Sequence, residues 1–292
     1  MIRLGSLQIA NPIVASSGAL AYGRAYGWER PLITAGIIKP QIIGAVITKS
    51  LTLHPRIGNY KGWNPWQVLS PIKGGWVNAF GLTNPGIDWF IQSEYPQIYH
   101  HNLVVSIYGE NSENLIAMVK KLNGIKCLAV EINLSCPNTK NCALWQHDFE
   151  LTRKTMMAAK LSSNHPIIAK IGYLDEKSRV EINKAFETAG IDAVDMINTI
   201  PFKDLCPERK SPLSFGGGIS GSVIKEYALD QVRWFYQNSR LPVIGGGGVV
   251  NIHDLDDFLA AGASAVSIGS AHIMRPWITT KMVKKYYRKI NN

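Results

Sequence analysis

The stretch Pro242-Val243-Ile244-Gly245-Gly246-Gly247-Gly248 is a short apolar run that ends in four consecutive glycines. Short runs of this kind, ending in small or polar residues, recur along the 292-residue chain with helix-like stretches between them. Continuous apolar strands are typical of a parallel sheet that is buried on both faces. The predicted strands are Ile13–Ala15, Ala45–Thr48, Leu103–Ile107, Ala129–Leu134, Ile167–Ile171, Ala193–Ile197, Pro242–Gly245 and Ala265–Ile268.

Eight alternating strand and helix units in a chain of this length predict an α/β protein with a single (β/α)8 TIM barrel. A doubly wound open sheet is the alternative fold. Apolar residues recur every three to four positions over residues 112–119, after Ser112, which can cap a helix, and the region 180–189 has the same spacing. Neither a low-complexity linker nor a sequence repeat divides the chain, so residues 1–292 are expected to form one domain.

The composition suits a large soluble domain, because hydrophobic residues make up 46% and charged residues 18% of the chain. The sequence has neither a basic leader followed by an apolar stretch nor an apolar run near the roughly 20 residues that span a bilayer. We therefore expect a cytoplasmic protein that binds no membrane. Lys and Arg outnumber Asp and Glu by 31 to 21, which an anionic ligand, nucleic acid, an acidic partner or a solvated basic face would each explain.

The four cysteines contain no CxxC pair and no zinc-type histidine spacing, so neither a metal site nor a disulfide framework is expected. Cys136 differs from the other three in its context. It follows predicted strand four in the segment Glu131-Ile132-Asn133-Leu134-Ser135-Cys136-Pro137-Asn138, which brings amides, a hydroxyl and a thiol to the mouth of the barrel. Cys127, Cys142 and Cys206 are interpreted as inert core or loop thiols.

Three glycine clusters predict a phosphate site. Gly245–Gly248 ends strand seven, Gly269-Ser270 ends strand eight, and Gly216–Gly221 precedes the helix before strand seven. Barrels commonly hold a phosphate at the ends of these last two strands. Glycine suits the task because an anion can approach backbone amides closely where no Cβ intervenes, although a single glycine run would indicate only a turn.

Two lysines end predicted strands, Lys49 after strand two and Lys170 after strand five. Each can extend to solvent at the rim, but a cationic pair directed into the mouth would stabilise a reduced flavin or a carboxylate substrate. Long connections at residues 51–100 and 201–219 leave the same end of the barrel and are expected to carry function.

Taken together, these motifs resemble the class 1 dihydroorotate dehydrogenases, and within them the catalytic subunit of the NAD-linked subclass. The resemblance spans nearly the whole chain. The matching segments are Asn11–Gly18, Lys49–Asn59, Asn78–Gly86, Glu131–Asn138, Lys170, Asn198-Thr199, Gly217–Gly221, Gly245–Gly248 and Gly262–Gly269.

The resemblance implies that FMN lies across the barrel mouth, with its phosphate at the glycines of strands seven and eight. Residues implied to bind FMN are Ala15, Ser16, Lys49, Ser106, Asn133, Lys170, Gly221, Gly247, Gly248, Gly269 and Ser270. Residues implied to bind dihydroorotate are Lys49, Asn78, Gly81, Leu82, Asn133, Asn138, Asn198 and Thr199. Amides suit a pyrimidine that presents both N–H and C=O groups. Cys136 would be the general base that takes a proton from carbon 5 while hydride passes from carbon 6 to the flavin.

The resemblance also implies a role in pyrimidine biosynthesis and one of two assemblies. One is a homodimer that uses a soluble acceptor such as fumarate, and the other adds an FAD and iron–sulfur subunit that passes electrons to NAD. Some residues depart from the family pattern: Ser106 stands where an Asn is common, and residues 199–212 lack the usual Gly-Met pair. Substrate and acceptor therefore stay open. The alternatives are a dihydropyrimidine (uracil-type) dehydrogenase, a tRNA dihydrouridine synthase and a flavin-binding paralogue without turnover, but no nucleic-acid partner is expected.

Overall fold

A computed structural model describes residues 1–60, 62, 64–135, 145 and 147–291 of the chain. Eight parallel strands close into a barrel in which each strand pairs with the next along the chain and the last pairs with the first. They are β3 (Ile13–Ala15), β4 (Ala45–Ile47), β7 (Leu103–Ile107), β8 (Ala129–Asn133), β9 (Ile167–Lys170), β10 (Ala193–Met196), β13 (Val243–Gly246) and β14 (Ala265–Ile268). The predicted (β/α)8 barrel is confirmed, and the open sheet is wrong.

Helices follow most of the barrel strands. Their bounds are α1 (Arg30–Thr34), α2 (Ile87–Trp89), α3 (Ser112–Leu122), α4 (Phe149–Ser162), α5 (Glu176–Ala189), α6 (Phe202–Leu205), α7 (Lys225–Asn238), α8 (Ile252–Ala260), α9 (Ala271–Met274) and α10 (Ile278–Asn291). Short 3-10 turns lie at Gly27–Glu29, Pro40–Ile42, Pro65–Gln67, Tyr95–Gln97 and Ser222–Ile224, with a π-helical turn at Phe90–Glu94. None of the helices within the described ranges is long and apolar enough to cross a bilayer.

Helix α3 begins where the sequence predicted, but its cap is a different residue. The side chain of Asn111 accepts a hydrogen bond from the Asn114 amide at 2.8 Å, so Asn111 is the N-cap. The prediction that Ser112 caps this helix is wrong. Ser112 is instead the first helical residue, and its hydroxyl bonds to that of Thr155 in α4 at 2.7 Å. Asparagine satisfies the free amides of a helix start as well as serine does.

The two long connections pair with each other. The first supplies β5 (Leu69–Ile72) and β6 (Gly75–Asn78), and the second supplies β11 (Ile200–Pro201) and β12 (Gly218–Gly221). Together they form an antiparallel sheet in the order β11-β12-β6-β5, which we call the loop sheet. At its centre a Cβ on Gly75 would lie 1.9 Å from the carbonyl oxygen of Ser220, so only glycine permits this approach of the two strands.

The floor of the barrel is an apolar plug. An antiparallel hairpin of β1 (Ile2–Leu4) and β2 (Leu7–Ile9) closes the amino-terminal end, where Ser6 bonds to the Asp192 carboxylate. Its Leu4, Leu7 and Ile9 pack against inward side chains of the strands. Those side chains form what we call the apolar level: Val14, Ala45, Ile47, Val104, Ala129, Ile168, Ala193, Ile244 and Ala265.

The inward side chains change character above that level. Since alternate residues of a strand share a face, the next inward position lies two residues further along each strand. These positions carry what we call the polar level: Ser16, Ser106, Glu131, Lys170, Asp195 and Ser267. Lys49 follows Ile47 in the same way, and Gly246 faces Ser267, whose hydroxyl oxygen would lie 2.1 Å from a Cβ at Gly246. The barrel therefore opens into a charged interior toward the carboxyl ends of its strands.

Candidate active site

Lys170 is the central cation of the polar level. Its ammonium nitrogen lies 2.9 Å from Asp195 Oδ2 on the neighbouring strand and 3.5 Å from the Ser16 hydroxyl. Both members of the ion pair are almost fully buried. Burial alone would lower the pKa of Lys170, but Asp195 and Glu131 outweigh it and raise that pKa. Lys170 therefore stays charged inside the barrel.

Glu131 is the second buried carboxyl group of this level. Its Oε1 accepts a hydrogen bond from the Ser106 hydroxyl at 2.8 Å. Burial raises the pKa of Glu131 to about 8, with Asp195 acting in the same direction and Lys170 against it. The sequence reasoning assigned no role to Glu131 or Asp195. The signal that could have found them is a carboxylate two residues after an inward Ala129 or Ala193, within an otherwise apolar strand.

Lys49 lies beside this network with a different environment. Its nitrogen is 5.7 Å from the centre of the Phe80 ring, within range of a cation–π contact, and burial lowers its pKa to about 8. Gly18 lies beside the stem of Lys49, and its φ of 81° favours glycine there. Lys49 is thus a cation that gives up its charge more readily than an exposed lysine.

A chain of hydroxyls links the strand ends. Ser50 Oγ lies 2.9 Å from Ser106 Oγ, accepts from Asn133 Nδ2 at 3.0 Å and lies 3.4 Å from the Ser17 hydroxyl. Ser106, predicted to contact the flavin, also donates to Glu131, so its hydroxyl is already committed to two protein groups. The residue that replaces the more usual Asn thus joins Ser50 to the buried carboxyl group.

Two of the predicted substrate amides meet at Ser135. Asn133 Oδ1 accepts from the Ser135 amide at 3.1 Å, and Asn198 Nδ2 donates to the Ser135 hydroxyl at 3.1 Å and its carbonyl at 3.2 Å. Asn198 Oδ1 also accepts from the amide of Thr199 at 2.9 Å. These bonds join the ends of β8 and β10 immediately before residue 136. Cys136 and Asn138, predicted as general base and substrate ligand, lie outside the described residues.

The predicted substrate residues of the first long connection occupy constrained backbone. Asn78 ends β6 and its side chain donates to the Gly218 carbonyl at 3.4 Å. Gly81 and Leu82 both have positive φ, 69° and 61°. That conformation is uncommon for leucine and is held by a bond from Asn84 Nδ2 to the Leu82 carbonyl at 2.7 Å. Strain of this kind concentrates at functional loops.

The predicted phosphate glycines converge at one side of the mouth. Gly247 and Gly248 have φ of 112° and 93°, and a Cβ at Gly248 would lie 2.9 Å from the Gly221 carbonyl oxygen. A Cβ at Gly269 would lie 3.5 Å from that of Ser16, which follows β3. Gly247 and Gly248 directly follow β13, and Gly269 and Ser270 directly follow β14. Glycine backbone at the ends of two neighbouring strands can bind an anion, because no Cβ keeps the anion away from the amides.

The side chains of the described ranges include no cluster of three or more His, Cys, Asp or Glu that could hold a metal ion. The site therefore consists of amides, hydroxyls, two lysines and two buried carboxyl groups, with bare backbone at one edge. Such a set can bind an anionic group at the glycines and a polar planar ring beside the lysines.

The sequence profile of the family described as dihydroorotate dehydrogenase matches residues 2–290. The chain is similar to a protein of Bacteroides thetaiotaomicron named dihydroorotate dehydrogenase B (NAD(+)), catalytic subunit, with 32% identity covering 96% of this chain and 90% of that protein. A protein of the same name from Bacillus cereus is 31% identical, covering 97% of this chain and 89% of its own.

Solved structures share the fold. The ligand-free DHODH of Eimeria tenella matches with a TM-score of 0.76 at 20% identity, covering 96% of this chain and 85% of that one. The complex of an Eimeria tenella DHODH with ferulenol matches with a TM-score of 0.75 at 19% identity. The match covers 96% of this chain and 81% of that one. The predicted family resemblance and the predicted barrel are confirmed, and none of the rival enzyme classes is favoured.

Proposed function

Because the chain belongs to the dihydroorotate dehydrogenase family, whose profile matches residues 2–290, we propose that it oxidises dihydroorotate to orotate with FMN, a step of pyrimidine biosynthesis. The observation that carries the proposal is that the glycines following β13 and β14 lie at the same end of the barrel as the polar level. The remaining steps concern the cofactor, the substrate, the base and the partners.

The residues present fit FMN. The backbone of Gly247, Gly248, Gly269 and Ser270 would hold the phosphate, and positive φ at Gly221, Gly247 and Gly248 requires glycine there. Beside them, Ala15 and Ser16 would contact the flavin ring, Lys49, Asn133 and Lys170 would offer it donors, and Ser106 stands behind it. When bound, FMN supplies the acceptor for hydride.

Dihydroorotate binding is assigned to the amides and the strained loop. Asn133 and Asn198 are held in place through Ser135, so that their orientation is fixed before substrate arrives. Asn78, Asn138 and Thr199, with the backbone of Gly81 and Leu82, complete the proposed ring around the pyrimidine. Each amide offers both a donor and an acceptor, which matches the N–H and C=O groups of the substrate. Lys49 provides the positive charge for its carboxylate.

Cys136 is proposed as the base that removes the carbon 5 proton. It follows Ser135, which forms hydrogen bonds with the side chains of Asn133 and Asn198. A thiol ordinarily titrates near pH 8.5, and a neighbouring cation lowers that pKa enough to supply thiolate near neutral pH. The carbon 5 proton would then pass to the sulfur of Cys136, and the hydride would pass from carbon 6 to FMN.

Partners are proposed from the relatives. Both bacterial relatives are named as the catalytic subunit of an NAD(+)-linked enzyme, so we assign this chain to a single-domain catalytic subunit that forms a homodimer and joins an FAD and iron–sulfur subunit. The chain has 4 cysteines without cluster spacing, so an iron–sulfur centre belongs on another subunit. The cytoplasm is the proposed location.

The test is anaerobic reduction of the bound flavin by dihydroorotate. The purified chain is expected to be yellow, to release FMN rather than FAD on denaturation, and to bleach with dihydroorotate. Dihydrouracil, and tRNA that contains dihydrouridine, serve as competing substrates. Bleaching by either of these in preference to dihydroorotate, or a colourless chain that FMN cannot reconstitute, would overturn the proposal.

A further inference from the structure

We propose that Glu131 and Asp195 share a single negative charge beside Lys170, with one proton kept on the pair, and that this arrangement keeps the reduction potential of the flavin low. The inference rests on the proposed binding of FMN at this mouth. It assigns a role to two carboxyl groups that neither the substrate nor the phosphate site uses.

Lys170 and Asp195 form a buried ion pair between neighbouring strands. Asp195 and Lys170 are opposite each other in the pairing of β10 with β9. Asp195 Oδ2 is 2.9 Å from the lysine nitrogen, an ion-pair distance, and its Oδ1 accepts from the Ser267 hydroxyl at 3.4 Å. Asp195 therefore compensates the positive charge of Lys170, which would otherwise act on the flavin uncompensated.

Glu131 has one hydrogen-bonded carboxyl oxygen and one that lacks a partner among the described residues. Its Oε1 accepts from Ser106, but its fully buried Oε2 has no hydrogen-bond partner among the described residues. An ionised carboxylate with a buried oxygen that no protein donor meets is costly, because burial penalises the charged form. Glu131 of β8 and Asp195 of β10 belong to the two strands that flank Lys170 of β9, and Asp195 raises the pKa of Glu131 through its charge and as a hydrogen-bond partner. A proton on Glu131 turns the bare oxygen into a donor toward Asp195.

The charges of Glu131, Asp195 and Lys170 depend on one another. Two interacting carboxylates in a buried site do not both ionise readily, and the proton belongs to the pair rather than to either residue. The charged groups that act on Glu131 are Asp195 from β10 and Lys170 from β9. Near neutral pH the three side chains therefore carry one positive and one negative charge, and their sum is zero.

The consequence is electrostatic. An uncompensated lysine beside a flavin favours the reduced, more negative form of the ring, and a compensated lysine favours it less. Either carboxyl group can supply the compensating charge. Removing Asp195 leaves Glu131 free to ionise against Lys170, and removing Glu131 leaves the existing ion pair. Only the loss of both exposes the lysine, so the two substitutions are strongly non-additive.

The first experiment measures the midpoint potential of bound FMN in wild type, Glu131→Gln, Asp195→Asn and the double variant. In the double variant, the affinity for reduced FMN relative to oxidised FMN is expected to rise at least about tenfold. For a two-electron couple, this corresponds to a midpoint potential that is about 30 mV more positive. Each single variant is expected to shift by less than half of that. Asp192→Asn is the matched control, since it breaks a carboxylate–lysine pair with Lys160 at the other end of the barrel.

A double variant with the wild-type potential would overturn the inference, and so would the full shift in Asp195→Asn alone. The second experiment needs no flavin. The infrared band of a protonated carboxylic acid is expected in the FMN-free wild type at pH 7, to fade as pH rises through about 8, and to be absent from Glu131→Gln. A wild-type spectrum identical to that of Glu131→Gln would refute the shared proton. A chain that binds no FMN would refute the proposed function, while the infrared result would still decide whether the pair holds its proton.

Discussion

The apolar level and the polar level are built by the same strands, two residues apart. At the first, Ile168 belongs to the apolar cluster that packs on the hairpin, and at the second, Lys170 pairs with Asp195. The two levels therefore have different roles in this barrel. Burying hydrocarbon at the closed end stabilises the fold, whereas the charges at the open end are costly to bury and are kept for what they bind.

The largest expected effect is at the open end. Cys136→Ala should leave FMN bound and slow flavin reduction by dihydroorotate about 10²–10⁴-fold, because a positioned base is lost. Cys136→Ser should recover part of the rate at higher pH only, since a hydroxyl is a poorer proton acceptor. Stopped-flow bleaching of the flavin measures both. Cys127→Ala is the control, a half-buried thiol that should reduce flavin normally; wild-type bleaching in Cys136→Ala would assign the base to another residue.

The apolar level should show the opposite behaviour. Ile168→Ala is expected to lower the free energy of unfolding by about 2–5 kcal/mol through lost burial and a residual cavity. The folded fraction should reduce its flavin at the wild-type rate. Urea denaturation followed by fluorescence measures the first quantity. Leu161→Ala, at a side chain that is 83% exposed, should change it by no more than about 0.5 kcal/mol. A large loss of rate in folded Ile168→Ala would break the division between the levels.

An intermediate effect is expected where the backbone meets the phosphate. Gly248 has a φ of 93°, and an added Cβ would lie 2.9 Å from the Gly221 carbonyl oxygen. Gly248→Ala should cost about 1–3 kcal/mol of strain and weaken FMN binding about tenfold or more. Titration of the FMN-free chain with FMN gives the affinity. Gly27→Ala, where a Cβ meets nothing within 4 Å, is the control and should bind FMN normally.

The last expected effect depends on pH. Glu131 holds its proton up to a pKa of about 8 in the folded chain, against an ordinary value of 4.5. Its contribution to stability is therefore complete below about pH 4.5 and is lost as pH rises to about 8. The free energy of unfolding should therefore fall less between about pH 4.5 and 8 in Glu131→Gln than in the wild type. Denaturation of the FMN-free chain at several pH values measures this difference. An unchanged pH profile would place the proton elsewhere.

The sequence predicted the barrel well because its signal is local. Each barrel strand lies within one residue of its predicted bounds, since a continuous apolar run has few other ways to be buried. The site was predicted only in part. Lys170 is visible at a strand end, but its pairing with Asp195 depends on the register between β9 and β10, which no single stretch encodes. The loop sheet was missed for the same reason, because Gly75 and Gly221 meet across long sequence separation.

The loop sheet links the motions of two segments that are distant along the chain. Its central strands, Gly75–Asn78 and Gly218–Gly221, share one ladder, so neither connection can swing away from the barrel without breaking the hydrogen bonds of the other. Cooperative opening of this kind makes the two connections a single unfolding unit. Their backbone amides should consequently exchange with deuterium at a common rate, distinct from that of the helices around the barrel.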